Sequence, residues 1–163
     1  MNAHELAQVN IARMRAPLED PLMAEFREQL DAVNAVADAW PGFVWRLQTD
    51  DGDATSIRVF EDALILLNMS VWQSLDALHD YVYRSAHVGP LRARRQWFEP
   101  MQQASVCLWW VRPGERPTPE DGRDRLNHLR LHGPTPHAFT FRAPFDANGR
   151  ALEPATLKPA RSG

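Results

Sequence analysis

A chain of 163 residues with 44% hydrophobic and 24% charged positions is sized for one globular domain with a substantial buried core. Its formal charge of −3 gives no general attraction to a phosphate backbone, and its basic residues are dispersed apart from Arg92, Arg94 and Arg95, so nucleic acid is not an expected partner. The N-terminus lacks a basic segment followed by an apolar one, and no apolar run approaches the ~20 residues that span a bilayer, so a soluble cytoplasmic protein with no membrane partner is expected. The single cysteine, Cys107, sits in the apolar run from Val106 to Val111 and reads as a small buried hydrophobe.

Leu6 to Ala12 has the composition of a strand, and Asp20-Pro21 supplies an N-cap and a first helical residue. From there Leu22, Met23, Phe26, Leu30, Val33, Ala37 and Trp40 recur at helical spacing until Pro41-Gly42 stops the pattern. Phe43 to Gln48 reads as a second strand, residues 50–53 as a turn, and Thr55 to Phe60 as an extended continuation. Leu64 to Trp72 is the next strand; Ser74 caps the following helix, whose buried face is Leu75, Leu78, Val82 and Ala86. Gly89-Pro90 breaks that helix and permits a helical piece from Leu91 to Phe98, followed by an apolar strand from Ala104 to Val111. Thr118-Pro119-Glu120-Asp121 opens a helix that ends at Gly133, and His137 to Phe141 offers a last strand. One domain over residues 1–145 is expected, with a poorly ordered tail over 146–163.

The order β-α-β-β-α-β belongs to an α+β, ferredoxin-like unit, an antiparallel sheet with helices on one face. Such a sheet normally leaves its other face wet, yet Leu64 to Leu67 and Val106 to Val111 are apolar at consecutive positions. A second subunit covering that face, hence a homodimer, is the expectation.

On alternating strand positions Gln8 and Asn10 share one face, as do Asn68, Ser70 and Trp72. These polar groups either bond one another across the sheet or serve a ligand. His87 follows the second helix at its break, where Tyr81, Arg84 and Trp97 supply an aromatic, polar surround. It is the best single candidate for a metal or proton-transfer role, against a structural reading in which it bonds the last helical carbonyls. His128 and His132 stand four apart and His137 follows, but without an HExxH motif and with Arg125 and Arg130 nearby a solvated helix end is the expectation, and no metal site is assigned. No GxSxG or phosphate-binding glycine loop is present.

The phrase from Ser70 to Leu78, a strand ending in Trp and leading into a Ser-capped helix, resembles the dimeric α/β-barrel superfamily, which includes antibiotic-biosynthesis monooxygenases and haem-degrading enzymes. The segments LAQVNIARMRAPLEDP, PGFVWRLQ, VYRSAH and HGPTPHAFTFRAPF resemble one uncharacterised bacterial family within it, over roughly residues 5 to 145. The haem-degrading members imply a trio here of Asn10, Tyr81 and His87, with His87 as haem ligand, although Tyr81 stands where those enzymes carry Trp and its interval to His87 is shorter. The cofactor-free members imply instead that Asn10, Asn68 and Trp72 orient an electron-rich phenolic substrate toward oxygen. The expected function is thus a monooxygenase-like protein for a small aromatic or hydrophobic molecule, with haem or no cofactor. The alternative is a non-catalytic, ligand-binding homodimer. Asn10, Tyr81 and His87 are the candidate catalytic residues, and Asn68, Trp72, Arg84 and Trp97 the candidate ligand contacts.

Overall fold

The computed structural model describes residues 4–49, 52, 54–55, 57–85 and 96–153. In chain order its elements are β1 (Glu5–Met14), α1 (Ala24–Asp38) entered through a 3-10 turn at Pro21–Met23, β2 (Phe43–Arg46), β3 (Ile65–Trp72), α2 (Leu75–Ser85), β4 (Phe98–Glu99), β5 (Val106–Val111) and α3 (Pro119–His132). β1 is central: β3 pairs antiparallel along one edge, β5 and the short β4 along the other, and β2 extends the sheet beyond β3. The resulting order β2-β3-β1-β5, with α1 and α2 as crossovers, is the expected α+β, ferredoxin-like arrangement. No helix among the described residues is long and apolar enough to cross a membrane.

The caps anticipated from sequence are the ones that form. Asp20 accepts the Leu22 N–H, Ser74 accepts the Ala77 N–H, and Thr118 and Asp121 make a reciprocal capping box. Gly133 closes α3 at φ +75°, in the left-handed region that glycine enters without a Cβ penalty.

Because side chains alternate along a strand, β1 divides its residues between two layers. Leu6 joins Trp72, Leu108 and the α2 residues Leu75 and Leu78, while Met14 joins Met23 and Phe26, so α1 and α2 share this face. Ala7, Val9 and Ile11 point the other way and form one cluster with Leu67, Met69, Val71, Cys107, Trp109 and Val111, closed by Leu126 and Leu129 of α3. Gly122 lets α3 approach closely: a Cβ there would lie 2.6 Å from Met69 Sδ. The face on which the sequence argument seats a second subunit is therefore covered by this chain's own third helix, and the apolar strands by themselves require no partner.

Three expected segments differ. Among the described residues of 55–60 none is in a strand: a turn bonds the Ile57 N–H to the Ala54 carbonyl, and Val59 and Phe60 pack against the core by their side chains. Phe98 belongs to β4, not to the end of a helix, and residues 86–95 lie outside the described residues. His137 to Phe141 joins the sheet through one bridge, Phe139 to Leu108, between the local bridges Thr135–Ala138 and Thr140–Ala143, where the Thr135 and Thr140 side chains accept backbone N–H bonds and so compete with strand pairing. Beyond it Asp146 to Gly149 make a turn and Phe145 bridges Ala151, within the stretch expected to be tail.

Candidate functional site

The apolar stripe of α1 predicts a packed helix, yet none of its residues is fully buried. The space beneath it is a cavity of two adjoining lobes between α1, α2 and the polar face of the sheet. One lobe, about 340 Å3, is bordered by Gln8, Ser70, Trp72, Tyr81, Val106 and Phe141 among others. The second, about 260 Å3, is bordered by Ala12, Phe26, Leu30, Leu66 and Phe98. Asn10, Val33, Asn34, Arg46 and Asn68 border both and form the waist between them. Each lobe exceeds the ~150 Å3 that suffices for a benzene ring in an engineered apolar cavity.

The register explains the polar row. Gln8 lies opposite Ser70 and Asn10 opposite Asn68, so side chains of one parity meet across β1 and β3. Gln8 Nε2 and Trp72 Nε1 both donate to Ser70 Oγ at 2.8 Å, and Asn68 Nδ2 donates to Asn10 Oδ1 at 3.3 Å. The amides thus bond one another and also border the cavity. Among the described residues Asn10 is used only as an acceptor, which leaves its own N–H2 unspent, and the Asn34 side chain has no hydrogen-bond partner.

Tyr81 reaches the cavity from α2 and stacks on Trp72 with ring centroids 4.9 Å apart. Trp40 meets Tyr81 edge-on at 5.4 Å, and Phe43 meets Trp72 edge-on at 5.4 Å. Trp72 is wholly buried behind these rings and borders the larger lobe from beneath Tyr81, which it backs. Burial raises the Tyr81 phenol above its ordinary value, with a hydrogen bond to Ser85 opposing, so Tyr81 is a neutral wall at physiological pH and not a ready base.

Arg46 completes the waist. Its Nε and Nη2 hold Asp38 at 2.7 and 3.3 Å and its Nη1 holds the Gly52 carbonyl at 2.7 Å, which fixes the end of α1 to the sheet. The side chain is 13% exposed, and one N–H on each terminal nitrogen remains unspent by these bonds.

Asn10, Asn68, Trp72 and Tyr81 therefore come together at one cavity, but two of the expected ligand contacts do not join them. Arg84 projects to solvent on α2 and pairs with Asp80 at 2.7 Å, four residues back. Trp97 is buried in the cluster of Met14 and Met23 beside Phe26, where packing explains it. His87 lies outside the described residues, as do Arg92, Arg94 and Arg95. Among the described residues that border the cavity none is a His, Cys, Asp or Glu, so this lining offers no axial haem ligand beyond a phenol that burial keeps protonated. Asn34 and Arg46 were not anticipated. Asn34 has a sequence signal, an amide set in the stripe of Leu30, Val33 and Ala37, whereas the register shift between Phe43 and Trp45 removes any simple parity rule for Arg46.

The three histidines do gather: the His128 ring is 4.4 Å from that of His132 and 4.6 Å from that of His137. Arg125 Nη1 lies 3.0 Å from His137 Nδ1 and donates to its carbonyl at 2.7 Å. A guanidinium on a would-be ligand nitrogen opposes a cation, and no set of three metal-ligating groups exists among the described residues.

The model of a family described as a domain of unknown function, DUF3291, matches residues 5–155. Among solved structures the chain is similar to SnoaB from Streptomyces nogalater, a cofactor-independent oxygenase: 23% identity, 72% of this chain and 98% of that chain covered, TM-score 0.42. A mutant form of the same protein aligns at 16% identity with the same coverage, 72% and 98%, and a TM-score of 0.43. No curated protein matches. With a match that runs from the start of β1 past the end of α3, the chain belongs to the DUF3291 family.

Proposed function

We propose that this protein binds a small aromatic molecule in the cavity under α1 and acts on it as a cofactor-free oxygenase. The observation that carries the reading is that no residue of the α1 apolar stripe is fully buried, so the stripe borders open space instead of filling it. Unfilled apolar space costs stability, and a guest that fills it recovers the lost contacts. Convergent polar groups in such a cavity fix a ligand's orientation, and here Asn10, Asn34, Asn68 and Arg46 supply them. Tyr81, backed by Trp72, gives a planar wall for a ring.

The lining has no carboxylate or imidazole among its described residues, so its part is to orient, to donate hydrogen bonds and to exclude water. That suits a substrate that loses its proton readily to solvent, such as a polycyclic phenol more acidic than a simple one, whose oxyanion the amide donors stabilise. With naphthol as the model, the phenolic O–H and the para C–H are replaced by two carbonyls; one oxygen atom of O2 enters the ring and the other leaves as water with both hydrogens. Oxygen is the only oxidant required. The specific support for the alternative, a binding protein without turnover, is that Gln8, Ser70 and Trp72 are already satisfied by one another.

The two readings separate in an oxygen electrode. Naphthol should bind by calorimetry and, under the oxygenase reading, consume one O2 per quinone formed, with both lost in Asn10→Ala. Binding without oxygen uptake leaves the ligand-binding protein; no binding overturns both.

A further inference from the structure

Resting on the reading of the cavity as a ligand site, we infer that its ligand is an aryl ketone or a related molecule: a planar ring joined through a hydrogen-bond-accepting link to an aliphatic chain. The two lobes differ in chemistry. The larger has Tyr81 and Phe141 as ring-shaped walls next to polar Gln8 and Ser70. The smaller is lined mostly by Ala12, Leu30, Leu47 and Leu66 with Phe26 and Phe98, with Thr55 and the residues of the waist as its polar groups. A ring alone would fill the first lobe and leave the second empty, and a chain alone would leave the polar waist unpaired, which costs binding energy in a desolvated site.

The waist states what the link must be. Asn10 keeps an unspent N–H2, Asn34 is without a partner among the described residues, and Arg46 retains donors after holding Asp38 and Gly52. The amide oxygens of Asn34 and Asn68 are free as well among the described residues, but the unspent N–H groups of Asn10, Asn34 and Arg46 outnumber them, so the matching group is an acceptor. The Arg46 charge is already balanced by Asp38, so the fitting acceptor is a neutral carbonyl and not a carboxylate.

The test is calorimetric titration with a series of phenyl alkyl ketones from acetophenone to dodecanophenone. Affinity should rise by about fourfold per added methylene, the factor for burying one CH2, and then level off once the chain fills the smaller lobe. Ala12→Leu, which narrows that lobe, should bring the plateau to shorter chains and leave acetophenone unchanged. Asn34→Ala should weaken every ketone by about three- to tenfold, the value of one hydrogen bond, and leave the matching alkylbenzenes unaffected. Bound acetophenone with no dependence on chain length, or a rise indifferent to Ala12→Leu, would overturn the inference while the aromatic site stands. If neither acetophenone nor naphthol binds, the cavity is not a ligand site and the underlying reading falls with it.

Discussion

Trp109 decides between a face covered from within and a face covered by a second copy. In sequence it lies in the apolar run Val106 to Val111, whose uncovered face is expected to meet a second subunit. In the structure it is 1% exposed beneath α3, clustered with Leu126 and Leu129, with the Arg125 guanidinium 5.6 Å from its ring. A buried tryptophan removes ~150–250 Å2 from water, which at ~25 cal/mol/Å2 is roughly 4–6 kcal/mol, in line with the ~3–5 kcal/mol measured for such truncations in cores. For a chain of this size that corresponds to a fall in Tm of roughly 6–20 °C. The assay is thermal and urea unfolding of Trp109→Ala at protein concentrations spanning two decades. The loss should be the same at every concentration, because α3 is tethered to the sheet it covers. If a partner were the cover, stability would rise by about 1.4 kcal/mol per tenfold in concentration and the variant would be a folded monomer. That result would refute the assignment of this face to α3.

Acid should weaken the fold. Burial first, then Arg125 and His128, hold His137 below its ordinary value of 6.5, and burial holds His79 down as well. The unfolded chain therefore takes up protons first as pH falls through that value, so stability is complete above it and declines below, and His137→Gln should lessen the slope of urea midpoint against pH between 7.5 and 5.5. A midpoint that rises on acidification would contradict the histidine cluster. Thr118→Ala removes half of the α3 capping box and should cost about 1 kcal/mol by urea unfolding; no change would mean the cap is not formed. Gly42→Ala should cost more than about 1 kcal/mol, because φ is +88° and the new Cβ would lie 2.5 Å from Ala77 Cβ, and a neutral result would show that the α1–β2 turn is placed wrongly.

What was legible in the sequence was local. Caps declare themselves through one side chain and one N–H, which is why Asp20, Ser74 and Thr118 were found. Strand parity likewise put Asn10 and Asn68 on one face, and the register brought them together. The position of α3 was not legible, since its sequence is mostly polar and only Gly122, Leu126 and Leu129 are buried; three small or aliphatic residues suffice against a flat apolar sheet. The cavity was hidden for the opposite reason. Periodicity in α1 reports which side is apolar, not how far that side stands from the sheet, so residues such as Val33 look like core and border open space. Arg84 and Trp97 stand near His87 in sequence, but an i,i+4 pair with Asp80 and a core cluster account for them.

The one thiol of the chain gives the molecule a built-in reporter. Cys107 lies wholly buried in the layer that α3 closes, and burial pushes its thiol up to about 12, so it is not a thiolate and is sealed from reagents while the helix is docked. Labelling by a maleimide or a disulfide reagent can then proceed only as fast as the sheet is uncovered. Its rate under native conditions measures how often α3 lifts, which separates motion of that helix from changes at the cavity on the far side of the sheet.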